Sequence, residues 1–216
     1  MAVKVEVQGP YACFSRPELS VERVSYDVMT PSAARGILEA VFWHPGLAWR
    51  IDRIHVLSPI RFTSVRRNEV DAKMSCSNAL SAMNGAPGSL YISTLDSIQQ
   101  RAALILRDVH YVIEAHFDMT KNAAPADNAG KFAEMMRRRL KKGQCFHTPY
   151  LGAREFPAVV KPWTGGEIVS ENKGVKDLGL MLYDMDYSDP KNTKPMFFMA
   201  KLTDGVLDLT DCEVLR

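Results

Sequence analysis

Between residues 3 and 161 the apolar positions switch between a period of two and a period of 3.6, and few folds accommodate the order in which they do so. Val3, Val5 and Val7 alternate with Lys4, Glu6 and Gln8, the pattern of a half-buried strand, with Gly9-Pro10 as its expected end. Thr30 can cap a helix that has Pro31 at its first position. Ile37, Leu38, Val41 and Phe42 then share one face before Pro45-Gly46 breaks the pattern. Ala48 to Leu57 and Ile60 to Val65 read as strands parted by Ser58-Pro59, although Trp49, Ile51 and Arg53 alternate only imperfectly with Arg50, Asp52 and Ile54. Ala102 to Met119 reads as a strand pair or one bent strand, its second half setting Tyr111, Ile113, Ala115 and Phe117 against Val112, Glu114 and His116. Asp127 is expected to cap a helix reaching about Lys142, with Phe132, Met136 and Leu140 on one stripe and Gly143 as its stop. Phe156 to Lys161 supplies a last strand.

The order β, α, β, β, α, β predicts an α+β fold of the ferredoxin-like or RRM-like kind, an antiparallel sheet with two helices on one face. Residues 66–100 are rich in Ser, Asn, Gly and Ala and lack a period, so an inserted β-hairpin or flexible loop is expected there. Gly165-Gly166 marks a boundary. The expected division is a first domain over 1–164 and a small antiparallel β domain over 165–216, whose segments LGLMLYDMDY and KPMFFMAKLTDGVLDL read as strands with an Asp-Gly turn.

Composition narrows the possible functions. With 216 residues, 46% of them hydrophobic, the chain can bury a full core. A net charge of +2 is too mild for indiscriminate coating of nucleic acid, so a nucleic-acid role must rest on clustered charge. No apolar run approaches the roughly 20 residues that a membrane helix needs, and the N-terminus alternates like a strand, so a cytoplasmic protein without membrane partners is expected. The isolated cysteines Cys13, Cys76, Cys145 and Cys212 lack CxxC spacing and read as reduced, mostly buried thiols. His44, His55, His110 and His147 show no HExxH or HxH spacing, so no metal or other cofactor is expected.

The charge is indeed clustered. EMMRRRLKKG places Arg137, Arg138, Arg139, Lys141 and Lys142 within two turns of helix, more positive charge than complementing the macrodipole requires. Arg137, Arg138, Lys141 and Lys142 are candidate phosphate contacts, as are Arg66, Arg67 and Lys73 of the insertion. Behind that helix, CFHTPYLGAREFPAVVKPW combines rings, a glycine and Arg154-Glu155. Either Gly152 supplies a positive φ beside a structural Arg154–Glu155 pair, or its backbone and Arg154 meet a nucleic acid. Trp43, Trp49 and Trp163 read as core or subunit-interface residues rather than stacking platforms.

TPSAARGILEAVFW (30–43), RIHVLSPIRF (53–62), YVIEAHF (111–117) and HTPYLGAREFPA (147–158) occur in this order and resemble the CRISPR-associated Cas five family, subtype d, of type I-C systems, a RAMP family. The resemblance runs over nearly the whole chain. It implies a modified ferredoxin-like domain with an inserted hairpin and a short C-terminal β domain. It also implies a metal-independent endoribonuclease that cuts CRISPR precursor RNA at the repeat hairpin and stays with the mature guide RNA and the other subunits of the surveillance complex. In that family the 2′-hydroxyl beside the scissile phosphate attacks, which calls for a base, an acid and a cation near the developing charge.

His116 in YVIEAHF matches the family's catalytic histidine, and imidazole titrates near neutral pH. The family pairs that histidine with a preceding lysine and with a tyrosine near the end of the first helix. Here those places hold Ala115 and Phe42-Trp43, which cannot transfer a proton or offset phosphate charge. Tyr111, Tyr150 and Lys121 are the candidate substitutes, with Arg35 or Arg50 as the cation. The departures leave open a different class of function: a non-catalytic subunit that binds the guide RNA 5′ handle or duplex DNA.

Overall fold

The computed structural model describes residues 2–19, 21–189 and 191–216. It comprises β1 (Val3–Ala12), β2 (Arg23–Val24), α1 (Pro31–Val41), β3 (Leu47–Val56), β4 (Phe62–Val70), α2 (Cys76–Met83), β5 (Ile98–Met119), α3 (Ala129–Lys142), β6 (Val159–Pro162), β7 (Val175–Asp186), β8 (Lys194–Thr203) and β9 (Val206–Asp208). The strands form one mixed sheet in the order β6-β1-β5-β3-β9-β8-β7, with β2 and β4 also paired to β5.

β5 is the spine of this sheet, and it is one bent strand. Its first half pairs with β4, from Val70↔Ile98 to Phe62↔Leu106, and its second half lies between β1 and β3. The halves meet at Asp108, whose φ of 53° is left-handed, a conformation that aspartate tolerates better than most residues. By the register of β1, Pro10 falls opposite Asp108. A proline without an N–H therefore sits where the ladder is already interrupted, and β1 runs on to Ala12 instead of ending at Gly9-Pro10.

The insertion is a hairpin with a helix in its tip. β4 and the start of β5 form the arms, and Ser75 caps α2 by accepting from the Asn78 amide. This helix has no periodic signature because it buries no residue; Leu80 and Met83 are exposed. At the other end of the chain, Asp204 and Gly205 both take positive φ, as a two-residue hairpin turn requires, and join β8 to β9. β9 pairs with β3, so β7, β8 and β9 extend the same sheet.

α1 and α3 pack on one face. Thr30 caps α1 by accepting from the Ala33 amide at 3.2 Å, with Pro31 behind it. The N-cap of α3 is Asn128, accepting from Lys131, rather than Asp127. Asp127 instead receives the Ala124 amide and the Lys131 ammonium. At the other end Gly143, at φ 63°, lets the Gln144 amide bond back to the Arg139 carbonyl. Val5, Val7, Ile51, Ile54, Tyr111, Ile113 and Ala115 form the sheet side of the core, and Ile37, Leu38, Phe132 and Met136 the helix side. The thiols divide differently from expectation: Cys13 is buried, Cys76 and Cys145 are exposed, and Cys212 is intermediate. Cys76 and Cys145 lie on the insertion and on the turn after α3, which have little to pack against.

Phe132 is fully buried and touches the rings of Phe42, His44 and Phe117. Phe132→Ala should lower the free energy of unfolding by about 3–5 kcal/mol, read from urea denaturation, because the cavity cannot collapse onto a rigid sheet.

Candidate active site and nucleic-acid interface

The face of the sheet opposite the helices carries ionisable groups where a second packed layer would carry apolar ones. Alternation brings Lys4 and Glu6 of β1, His110, Glu114, His116 and Asp118 of β5, and Arg50 and His55 of β3 to that side. They pair across strands: Glu6 with His110 at 2.7 Å, Lys4 with Glu114 at 2.7 Å, His55 with Glu114 at 3.2 Å, and Arg50 with Asp118 at 3.1 Å. Arg53 bonds Asp208 of β9 at 2.8 Å.

His116 stands near the open end of this lattice. Its Nδ1 lies 2.8 and 3.0 Å from the two carboxylate oxygens of Asp52, and 42% of its side chain is exposed. Its Nε2 has no partner among the described residues and is the nitrogen available to a substrate. Arg50 is the direct cross-strand neighbour of His116.

Asp52 reaches His116 because β3 contains a bulge. Ile51 pairs with Ala115 and Arg53 with Glu114, so Asp52 is the extra residue. A bulge re-aims one side chain without disturbing the ladder on either side. The imperfect alternation of residues 49–54 was its trace in the sequence, and Asp52 is the site residue that the sequence reading missed.

None of the expected substitutes for the missing lysine and tyrosine is bonded to His116 among the described residues. Tyr111 is 2% exposed, on the helix side of β5, where it packs edge-on against Phe14; burial pushes its hydroxyl well above the ordinary range despite a hydrogen bond with the Met29 backbone. Odd and even residues of a strand face opposite ways, so Tyr111 and His116 are separated by the sheet itself. Tyr150 lies beside Thr30 and Ser15, lining a cavity of about 350 Å³ at the N-terminus of α1. Lys121 is exposed in the turn beyond β5.

Arg35 is not the cation either. It bonds Asp184 of β7 at 2.7 and 2.9 Å and Glu39 at 2.8 Å, tying α1 to β7. Burial works against its charge, but these carboxylates outweigh it and hold the guanidinium protonated. Arg50 is less committed, since its carboxylate partner among the described residues, Asp118, is about as exposed as it is.

The basic residues divide into paired and open ones. Arg137 is held by Glu134 at 2.6–2.9 Å and Arg139 donates to the Val41 carbonyl at 2.7 Å, whereas Arg138, Lys141 and Lys142 are exposed with no carboxylate partner among the described residues. On the insertion Arg66 and Lys73 are exposed, but Arg67 pairs with Glu155 and lies near Glu69. Glu155 thus bridges to Arg67 and Arg23 rather than to Arg154, which is exposed. Gly152 has φ 82°, and a Cβ there would collide with the backbone of Cys13, so packing against β1 explains that glycine. Of the tryptophans read as core or subunit-interface residues, Trp49 is buried, Trp163 half-buried and Trp43 exposed. Among the described residues no group of three or more His, Cys, Asp or Glu side chains is arranged to hold a metal ion, and no helix is long and apolar enough to cross a membrane.

The fold is that of CRISPR-associated proteins. A solved structure described as a CRISPR-associated protein superimposes with a TM-score of 0.71 at 23% identity, covering 100% of this chain and 97% of that one. A chain of a CRISPR RNA-guided surveillance complex superimposes at 0.51 with 10% identity, covering 100% and 89%. The family model described as CRISPR-associated protein (Cas_Cas5), in its Cas5d form, matches residues 2–209, and the chain belongs to that family. Among its relatives, a protein of Mannheimia succiniciproducens named CRISPR pre-crRNA endoribonuclease Cas5d is 50% identical over 213 residues, covering 96% of this chain and 94% of the relative. The protein of the same name from Thermus thermophilus is 42% identical, covering 96% and 90%.

Two measurements follow from this geometry. Burial lowers the affinity of His55 for a proton more than Glu114 raises it; burial raises that of Glu114, but Lys4 and His55 together outweigh this and hold the carboxyl below its usual range. Both groups therefore support folding above their unfolded values, about 6.5 and 4.3, and withdraw that support as pH falls. Urea midpoints should decline from about pH 6.5 downward, and Glu114→Gln should flatten the decline below about pH 4.3. For RNA binding, replacing Arg138, Lys141 or Lys142 with alanine should each reduce the slope of log affinity against log salt by about one, and Arg137→Ala should reduce it less.

Proposed function

We propose that this chain is an endoribonuclease that cleaves CRISPR precursor RNA at the repeat hairpin and remains with the mature guide RNA in a type I-C surveillance complex in the cytoplasm. The observation that carries this reading is the His116–Asp52 pair beside Arg50 on an open sheet face, in a chain whose relatives are named for pre-crRNA cleavage. We read β1-α1-β3-β5-α3-β6 as a ferredoxin-like unit; the order β6-β1-β5-β3 with antiparallel neighbours supports this. Residues 165–216 act as a small β appendage that meets this unit through the β9–β3 pairing.

The chemistry needs no group that the chain lacks. His116 takes the proton of the 2′-hydroxyl on Nε2 while Asp52 holds Nδ1–H and favours the imidazolium that results. The 2′-oxygen bonds to phosphorus, the bond to the 5′-oxygen breaks, and the proton passes to that leaving oxygen, giving a cyclic phosphate and a 5′-hydroxyl. Arg50 exchanges Asp118 for the phosphate as charge builds. Arg66, Lys73, Arg138, Lys141, Lys142 and Arg154, exposed and without carboxylate partners among the described residues, supply sequence-independent phosphate contacts to the RNA.

In excess EDTA the wild-type protein should cut labelled repeat RNA and leave cyclic phosphate ends. His116→Ala should be slower by about 10²–10⁴-fold with unchanged binding, and Asp52→Asn should fall between the two. The replacement of the family's lysine and tyrosine by Ala115 and Phe42-Trp43 favours a second reading, a guide-RNA or duplex-DNA binding subunit without cleavage. Intact RNA in a stable complex with the wild-type protein would establish that reading in place of the first.

A further inference from the structure

The end of α1 is built in an unusual way, and the result is a pair of exposed rings in a field of positive charge. α1 has no left-handed cap; Phe42 is extended, at φ −146° and ψ 109°. Its last carbonyls find tertiary partners instead. The Ala40 carbonyl accepts from the amides of Phe146 and His147 at 2.7 and 3.2 Å, that of Val41 from Arg139 at 2.7 Å, and that of Phe42 from the Trp49 indole at 3.1 Å. These bonds fix the backbone that leads into Trp43 and bring Phe146 next to it. The ring centroids are 6.4 Å apart with planes 32° from parallel, yet Trp43 is 51% exposed and Phe146 66%. Two large rings are thus ordered by the backbone behind them while their faces remain in water.

The surroundings favour one occupant. From Met135 to Arg154 the chain contains no Asp or Glu, and Arg138, Lys141, Lys142 and His147 are exposed around the turn that leads into Phe146. Arg139 is committed to the scaffold, with its guanidinium 5.3 Å from the Phe42 ring. The Asp127 carboxylate beside His44 is taken up by Lys131, so exposed rings beside free cations suit an unpaired base whose phosphates are met by the cations. An apolar protein surface would gain nothing from the charges.

We propose that Trp43 and Phe146 form a stacking platform for an unpaired base of the RNA that flanks the repeat hairpin. This rests on the RNA-processing reading above and adds a single-strand subsite to it.

Tryptophan emission, titrated with repeat RNA carrying single-stranded flanks and with the hairpin alone, tests the platform. The flanked RNA should quench the wild-type protein, and Trp43→Ala should abolish that quenching. Trp43→Ala and Phe146→Ala should each bind flanked RNA about tenfold more weakly or worse, with an unchanged salt slope because no charge is removed. Trp43→Phe should retain most of the affinity, and all three variants should bind the bare hairpin as the wild type does. Equal affinity of Trp43→Ala and wild type for flanked RNA would overturn the platform and leave the RNA reading standing. Failure of the wild type to bind either RNA would overturn that reading itself. Both rings are exposed, so thermal melting should match the wild type and exclude misfolding as the cause.

Discussion

Everything in this molecule hangs on the backbone hydrogen bonding of β5. Its 22 residues pair with β1, β2, β3 and β4, so the helix-packed core, the open ionic face and the inserted hairpin all share one strand. A strand that long would twist far out of plane if left regular. The left-handed Asp108 opposite Pro10 divides it, and the second half can then serve the core while the first carries the insertion outward.

The same strand explains how one sheet supports two chemistries. On the helix side Tyr111, Ile113 and Ala115 are sealed in the core. On the other, His110, Glu114 and His116 meet charged partners from the two flanking strands, β1 and β3, which holds a largely polar face in register without a second layer to cover it. An exposed ion pair contributes little alone, but connected pairs fix one another's rotamers. His116 is thereby oriented through Nδ1 and left open at Nε2, the condition for proton transfer to a substrate from outside. Arg50 stands directly across from His116, in an exposed pair with Asp118.

Charge near the surface tells a similar story. The basic run that ends α3 is a single cluster in the sequence, but in the fold Arg137 answers Glu134 and Arg139 closes the end of α1, leaving Arg138, Lys141 and Lys142 exposed without a carboxylate partner among the described residues. The insertion divides likewise: Arg67 is spent on Glu155, while Arg66 and Lys73 stay open.

The sequence alone determined the elements whose signal is periodic and local. The valines of β1, the Thr30 cap, the stripe of Phe132, Met136 and Leu140 with its Gly143 stop and the Asp-Gly turn were all legible, because each follows from side-chain alternation, capping or turn chemistry within a few residues; His116 was singled out by the family resemblance instead. What tertiary structure alone decided were the long-range pairings. Asp52 meets His116 across 64 residues through a bulge visible beforehand only as faulty alternation. Arg35 was a candidate cation until Asp184, 149 residues away, claimed it. Tyr111 was excluded by the face of the sheet it occupies, and Trp43 was freed by hydrogen bonds that end α1 from outside the helix. Periodicity records which residues are buried, whereas partners distant in sequence are chosen by the register in which strands and helix ends finally meet.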